Sequence, residues 1–289
     1  MIDAAKQEFR QEATGWESLR SLLLRIRYRE VLILQGAPLL GAALSINHWT
    51  GASLVSIGIL FIAGFLLVAH IWSLNDWTDS PAERRNPTLG LSLTLLVLSM
   101  ALFTCLGRTT LLIAIGVALL GFAYSHPAID AKGKPLLSSV THLAGGLLHF
   151  LLGYSVFSTI GIKAVLTASF FALVFTAGHA TQEVQHYEDD RLNGIRTSAV
   201  VYGKAAVFIA AFVCFAFAYG DFALLSLSGI LPPRLWLMAA VIFPLHCHWS
   251  LNTLQTGLDP DRLRRLRNGY RVLFILIGIA IALGLFAKE

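Results

Sequence analysis

Two acidic clusters interrupt an otherwise apolar chain, and their side chains could hold divalent cations. The first lies in the run NDWTDSPAE and has four oxygen donors: Asn75, Asp76, Asp79 and Glu83. The second lies in the run EVQHYEDD and has four acids: Glu183, Glu188, Asp189 and Asp190. Carboxylates beside a bilayer are costly, so such clusters usually mark a working site. Two clusters that face each other predict a pair of cations holding an anion such as a diphosphate.

The spacing in the first cluster suits one face of a helix. Asp76, Asp79 and Glu83 are three and four residues apart, and such residues are neighbours on a helix surface. Pro81 interrupts a regular helix, so the second half of the run is expected to bend over the site. One amide and three carboxylates match the oxygen ligands of Mg²⁺. A solvated acidic loop is the alternative, but Asn75 and Asp76 directly follow a long apolar run.

The second cluster repeats this pattern. Glu183, His186 and Asp190 are three and four residues apart and share one helical face. Glu188 and Asp189 face elsewhere and are expected to be solvated. Because each cluster ends an apolar run at a matching place in its half of the chain, the pattern indicates an internal pseudo-repeat.

The composition predicts that membrane-spanning helices position both clusters. Of 289 residues, 56% are hydrophobic and 13% charged, whereas soluble domains have about 25% charged residues. Nine apolar runs are long enough to be transmembrane helices. They cover residues 31–49, 52–74, 89–106, 109–125, 138–160, 163–182, 204–230, 235–254 and 270–287. Gly220 and Asp221 predict a kink or break in the seventh run, and Gly107–Arg108 predicts a tight hairpin between the third and fourth.

The basic residues predict the orientation of these spans. With the N-terminus inside, 18 of the 22 Lys and Arg residues fall in cytoplasmic segments. The outside keeps four: Arg108, Lys163, Arg234 and Lys288. Both acidic clusters are therefore expected on the cytoplasmic face, and the C-terminus on the opposite side. Because the basic residues lie at span ends and not along one soluble face, they argue against a nucleic-acid partner.

The predicted fold class is all-α: a multi-pass integral membrane protein with nine transmembrane helices over residues 30–289. Residues 1–29 mix apolar side chains with arginines, which predicts a cytoplasmic amphipathic segment lying in the membrane interface. A disordered tail is the alternative for that stretch. It lacks the pattern of a cleavable signal peptide.

The first cluster, at the end of the second of nine spans, resembles a motif of the UbiA superfamily of intramembrane prenyltransferases. That motif reads N-D-x-x-D-x-x-x-D. It is matched by Asn75, Asp76, Asp79 and, with Glu in place of Asp, Glu83.

The second cluster, at the end of the sixth span, resembles the same family's second motif. An acidic helix end is followed by D-x-x-x-G and a basic residue with Thr or Ser. The matching residues here are Asp190, Gly194, Arg196 and Thr197. His186 is a departure, because many members have an Asp four residues before Asp190. The resemblance covers essentially the whole chain in span count, orientation and motif position.

The resemblance implies a central cavity and a metal-dependent reaction on an isoprenyl diphosphate donor. Mg²⁺, as two ions, would neutralise the departing pyrophosphate, and a hydrophobic or aromatic acceptor would capture the allylic cation away from water. The implied metal ligands are Asn75, Asp76, Asp79, Glu83, Glu183 and Asp190, and all but Glu83 are also the implied catalytic residues. The implied substrate-binding residues are Tyr124, Lys132, Lys134, His186, Tyr187, Arg191 and Arg196.

Two alternatives stay open. A terpene cyclase on the same scaffold would capture the cation with the donor's own double bond. A transporter or non-catalytic membrane partner is less favoured, because ion-coupled transporters usually bind at mid-bilayer in broken helices, whereas these acids lie at span ends. His142 and His149 share a face of the fifth span, where they either orient an acceptor or hydrogen-bond a neighbouring helix.

Overall fold

The computed structural model describes residues 26–79 and 82–286, with side chains at all of these positions except 79, 82–87 and 286. Every regular element in the described ranges is a helix. The predicted interfacial segment lies almost entirely outside them.

Twelve helices form in the described ranges. The first six are α1 (Tyr28–Leu34), α2 (Gly36–Ser45), α3 (Gly51–Asp79), α4 (Ala82–Thr104), α5 (Arg108–Ser125) and α6 (Leu137–Tyr154). The other six are α7 (Ile162–Gln185), α8 (Tyr187–Leu192), α9 (Ser198–Tyr202), α10 (Lys204–Leu227), α11 (Trp236–Gln255) and α12 (Pro260–Phe286). Each of the nine predicted apolar runs falls on helical structure, and α8 and α9 are short connecting helices.

Five helices are each long and apolar enough to cross a membrane: α3, α5, α7, α10 and α12. Helix α4 adds a shorter apolar stretch over Thr88–Thr104. Mean hydropathy over their windows reaches 2.6 in α3 and 2.1 in α10. The fold is therefore all-helical with at least these five candidate spans among the described residues.

The long helices pack as a closed ring in chain order. Helix α3 packs on α4 and α5, α5 on α6, α6 on α7, and α7 on α10. Helix α10 then packs on α11, α11 on α12, and α12 returns to α2, which also contacts α3 and α6. Because consecutive long helices from α3 to α7 run antiparallel, α3 and α7 end on the same side of the ring. This arrangement brings the two acidic clusters to one end of the molecule.

The first predicted span, 31–49, is divided into two helices, which the sequence analysis did not anticipate. Pro38 has no backbone N–H, so the Leu34 carbonyl cannot receive the usual helical hydrogen bond. His149 of α6 donates from Nε2 to that oxygen over 3.0 Å. Gly153, one turn later on α6, lies against the Pro38 carbonyl, where a Cβ would not fit. Helix α6 thus stabilises the break between α1 and α2, and His149 hydrogen-bonds a neighbouring helix, α1.

The predicted break in the seventh run is wrong, because α10 continues through Gly220 and Asp221 without interruption. The Asp221 carboxylate accepts a hydrogen bond from Ser169 Oγ of α7 over 2.8 Å. A satisfied polar group can remain within a packed helix, so the chain does not have to break there. The predicted hairpin between α4 and α5 is confirmed, and Gly107 turns it with a φ of 111°.

Candidate active site

Glu183 is a buried carboxylate near the C-terminal end of α7. Only 5% of its surface is exposed, and Nε2 of His179, one turn earlier, lies 2.9 Å from its Oε1. Ser198 and Ala199 of α9 lie beside the same carboxyl group. Neither carboxylate oxygen receives a hydrogen bond of regular geometry from the described residues. The group therefore keeps acceptor capacity for a cation.

A stacked pair of histidines supports Glu183 from inside the helix ring. The rings of His142 and His179 lie 3.5 Å apart and almost parallel, at 6°. Tyr124 of α5 meets the His142 ring edge-on at 5.1 Å. Ser138 of α6 binds both members, with its hydroxyl 2.6 Å from His179 Nε2 and its carbonyl accepting from His142 Nδ1 over 2.8 Å. This pair joins α5, α6 and α7 behind the second cluster.

The sequence analysis did not select His179. A signal was available, because His179 lies four residues before Glu183 on the same helical face. The contact with His142, however, requires α6 and α7 to pack in this register. His142 therefore stacks on His179 beside Glu183, whereas His149 hydrogen-bonds the Leu34 carbonyl of α1. An acceptor-orienting role for His142 stays a prediction.

Asp190 of α8 lies within electrostatic reach of Glu183. Burial raises the pKa of the Asp190 carboxyl, and the negative charge of Glu183 raises it further. His186, the Thr197 hydroxyl and Lys132 act in the opposite direction on that pKa. Asp190 is thus within electrostatic reach of both Glu183 and Lys132. That these residues form one binding site stays a prediction.

The outer face of α8 is occupied by surface ion pairs. Glu188 lies 2.8 Å from Lys204 Nζ and 3.4 Å from Arg191 Nη2. The hydrogen bond from Lys204 lowers the pKa of the Glu188 carboxyl below its usual range. The Lys204 ammonium also lies over the Tyr187 ring, 4.7 Å from its centroid. Tyr187 therefore contacts Lys204, and Arg191 contacts Glu188, on the solvent-exposed side of the second cluster.

Two further predicted binding residues lie in connecting segments. Lys134 Nζ donates to the Ile129 carbonyl over 2.6 Å, within the loop between α5 and α6. Arg196 is exposed between α8 and α9. Lys132, in the same loop, acts electrostatically on Asp190.

The first cluster is held by an arginine that the sequence analysis did not assign to the site. Arg27, just before α1, has Nη2 3.7 Å from Asp76 Oδ1 and stacks over the Trp72 ring at 4.6 Å. Thr78 donates to the Asn75 carbonyl over 2.7 Å, within the last turns of α3. The side chains of Asp79 and Glu83 lie outside those that the structure describes.

Helix α5 connects the two clusters, and a separate ion pair joins α1 to α12. On one side, Gly121 of α5 lies against Ile71, one turn before Asn75 in α3, and Tyr124 follows Gly121 by one turn. On the other side, Glu30 of α1 pairs with both terminal nitrogens of Arg271 in α12, at 2.6 and 3.3 Å. Helix α5 thus contacts both α3 and α7 close to the two clusters.

The donor chemistry suits a hard divalent cation, although the described side chains do not complete a site. No group of three His, Cys, Asp or Glu side chains among them converges to hold a metal ion. Mg²⁺ commonly takes only one or two protein carboxylates and fills its other positions with phosphate oxygens and water. The buried oxygens of Glu183 fit that mode of binding.

Comparison with known proteins agrees with this architecture. The model of the UbiA prenyltransferase family matches residues 31–275. A search of curated protein sequences found no match. Among solved structures, a digeranylgeranylglyceryl phosphate synthase aligns with a TM-score of 0.70 at 17% identity, covering 93% of this chain and 99% of that one.

Two archaeal structures show the same fold. A UbiA homologue from Archaeoglobus fulgidus, bound to DMAPP and Mg²⁺, aligns with a TM-score of 0.67 at 17% identity over 90% of this chain and 98% of that one. The apo UbiA homologue from Aeropyrum pernix K1 gives 0.63 at 16% identity, over 90% and 98%. Because the family model extends over most of the chain and these structures share its helical fold, this protein belongs to the UbiA prenyltransferase family.

Proposed function

We propose that this protein transfers an isoprenyl group, within the membrane, from an isoprenyl diphosphate to an aromatic or lipid acceptor and releases pyrophosphate. The observation that carries the proposal is Glu183: a buried carboxylate with unfilled acceptor capacity, placed within electrostatic reach of Asp190. The UbiA homologue from Archaeoglobus fulgidus bound to DMAPP and Mg²⁺ supports the choice of donor and metal.

Two groups of residues would hold Mg²⁺, as two ions. The first group is Asn75, Asp76, Asp79 and Glu83, and the second is Glu183 and Asp190. The metal would supply Lewis-acid stabilisation of the negative charge on the departing pyrophosphate. Arg27 and Lys132 carry positive charge beside Asp76 and Asp190, where they would bind the diphosphate oxygens.

The chemistry would proceed by breaking the bond between the donor's C1 and its bridging oxygen, whose electron pair leaves with pyrophosphate. The acceptor then forms a bond to C1 and loses a proton. Tyr124, His142 and Phe175 present aromatic rings next to the second cluster, with the His142 and Phe175 centroids 5.4 Å apart. Such rings would exclude water and offer their faces to the developing cation.

We further propose that all nine apolar segments of residues 30–289 cross the membrane around one cavity. The N-terminus and the active site would then be cytoplasmic and the C-terminus on the opposite side. The 18-to-4 distribution of basic residues supports this orientation.

The test is pyrophosphate release by purified protein in lipid nanodiscs. DMAPP, geranyl, farnesyl and geranylgeranyl diphosphates are each supplied with Mg²⁺, with and without a panel of aromatic and lipid acceptors. Asp76→Ala and Asp190→Ala are expected to abolish release. Asp189→Ala is the matched control, because Asp189 neighbours Asp190 but its side chain is 80% exposed. Undiminished release in Asp76→Ala and Asp190→Ala would contradict the proposal, and a cyclic hydrocarbon made without acceptor would favour a terpene cyclase.

A further inference from the structure

A groove between α11 and α12 lies outside the acidic site. It has a volume of about 400 Å³, within the range of about 300–1,000 Å³ typical of small-molecule sites. Helix α11 lines it with Trp249, Asn252 and Thr253, and α12 lines it with Arg262 and Arg265. The groove is at the end of α11 and the start of α12, on the same side of the ring at which α3 and α7 end.

The groove and the Glu30–Arg271 ion pair lie on opposite faces of α12. Arg262, Arg265 and Gly269 follow one another at spacings of three and four residues, so they form one stripe along the helix. Arg271, which pairs with Glu30, is nine residues after Arg262 and projects from the other side at 100° per residue. No residue that lines the groove belongs to either acidic cluster, so a ligand in the groove would not occupy the proposed diphosphate site.

The two arginines of the groove have no acidic partner among the described side chains. Within the described part of the chain, no carboxylate forms an ion pair with Arg262 or Arg265. Their neighbour Arg264 differs, because its Nη1 lies 3.8 Å from Asp261 Oδ1. Two unpaired guanidinium groups one turn apart present several N–H donors to a single anion, and guanidinium is the side-chain group best suited to phosphate.

Trp249 gives the groove an apolar wall. Gly269 of α12 permits its ring to approach, because a Cβ at position 269 would lie 2.8 Å from the indole. Asn252 adds an amide, and Thr253 is buried, with its hydroxyl donating to the Trp249 carbonyl over 2.8 Å. Tryptophan is enriched where apolar chains meet polar headgroups at the membrane surface. The groove thus combines phosphate-binding cations with a side chain typical of that interface.

We propose that the α11–α12 groove binds the headgroup phosphate of an anionic phospholipid from the adjoining leaflet. The guanidinium groups of Arg262 and Arg265 bind the phosphate, Asn252 contacts the headgroup, and Trp249 packs on the start of the acyl chains. Anionic lipids are attracted to such basic positions by about 1 kcal/mol per residue. This proposal does not depend on the reaction catalysed at the acidic site.

Lipid retention tests the groove directly. The protein is purified with phosphatidylglycerol or phosphatidylcholine, delipidated stepwise in detergent, and the retained lipids are counted by native mass spectrometry. The wild type is expected to retain one phosphatidylglycerol preferentially, and Arg262→Gln or Arg265→Gln to weaken its retention about fivefold each. Arg264→Gln is the matched control on the neighbouring position and is expected to retain the lipid. Equal retention in all three variants, or equal retention of both lipids, would overturn the proposal.

A second measurement locates the lipid and separates it from free phosphate. Brominated phosphatidylglycerol quenches tryptophan fluorescence at close range, and the difference between wild type and Trp249→Phe isolates the signal of Trp249. Stronger quenching by brominated phosphatidylglycerol than by brominated phosphatidylcholine is expected, with no reversal by millimolar inorganic phosphate. If inorganic phosphate abolishes the quenching, the groove is a soluble-anion site and the lipid assignment is wrong.

Discussion

The two acidic clusters end equivalent helices, yet the protein supports them in different ways. Glu183 is 5% exposed and is positioned by His179, whereas the Asp76 side chain is 35% exposed and lies beside the charged Arg27. Glu183 of the second cluster is thus a buried carboxylate oriented in advance by packed neighbours. Asp76 of the first cluster is a more accessible carboxylate, and the side chain of Arg27, just before α1, balances its charge.

Packing explains the difference. Helix α7 is enclosed by α6 on one side and α10 on the other, so its last turns remain within the bundle. Helix α3 packs on α4 and α5, and its end meets Arg27, which directly precedes α1. We therefore expect the second cluster to provide fixed geometry and the first to rearrange when a metal and a diphosphate bind.

The largest effect should come from Glu183→Gln. This change keeps the shape of the side chain and removes its charge, so prenyl transfer should fall by about 10²–10³-fold, as for other lost electrostatic stabilisers. Glu188→Gln is the matched control on the exposed face of α8 and should stay within about twofold, because exposed ion pairs contribute little. Initial rates of prenyl transfer at saturating Mg²⁺ measure both variants. Similar losses in Glu183→Gln and Glu188→Gln would show that the buried and the exposed acid do not differ in function.

His179→Ala should come next, because it removes the support of Glu183 without removing a ligand. Outer-shell substitutions at metal sites commonly cost about 10–100-fold in metal affinity or activity. The Mg²⁺ concentration for half-maximal activity should rise, and His179→Gln, which keeps a hydrogen-bonding amide, should recover part of the loss. A lower rate with an unchanged Mg²⁺ dependence would show that His179 only packs the core.

A smaller effect is expected from Arg27→Gln at the first cluster. Loss of one charge-assisted contact should raise the KM for the isoprenyl diphosphate by about tenfold and change kcat much less. Arg29→Gln serves as the control, because the Arg29 side chain stacks on its neighbour Tyr28, 5.8 Å from the ring centroid. Steady-state kinetics at several donor concentrations measure the effect. If both variants leave the KM unchanged, Arg27 balances Asp76 without binding the donor.

The smallest effect should follow from His186→Asp, which restores the family pattern of the second motif. An added carboxylate, a harder ligand than imidazole, should lower the Mg²⁺ concentration for half-maximal activity by a few-fold. His186 is half-exposed, and its Nδ1 lies 3.9 Å from Asp189 Oδ2, so the substitution should be tolerated. A rise in the required Mg²⁺ concentration would show that the imidazole itself serves the site.

Much of the helix pattern could be predicted, because each apolar run is a local property of the sequence. The hairpin at Gly107 and the placement of both clusters at helix ends follow from the same pattern. The continuity of α10 and the division of the first span could not be predicted in this way. Asp221 remains within α10 because the Ser169 hydroxyl of α7 donates a hydrogen bond to its carboxylate. The Leu34 carbonyl lacks its usual helical hydrogen bond, and His149 of α6 donates one in its place.

The site shows the same limit. Helical spacing predicted that Glu183, His186 and Asp190 share one helical face, but α7 ends at Gln185 and Asp190 lies on α8, so this prediction was wrong. Lys132 of the predicted basic loop acts electrostatically on Asp190. His179 was missed, because its place depends on the packing of α6 against α7. Arg27 was predicted only as part of an interfacial segment, because its contact with Asp76 depends on how the chain before α1 packs on the end of α3.

The sequence by itself determined the all-helical class, the apolar runs and the acidic residues at their ends, since hydrophobicity and helical periodicity are written in local residue order. Only the tertiary structure decided which carboxylate is buried, which basic side chain lies near each cluster, and that His142 stacks on His179. Those properties arise from contacts between residues far apart in the chain, and their energies depend on distance and burial, which helix packing alone sets.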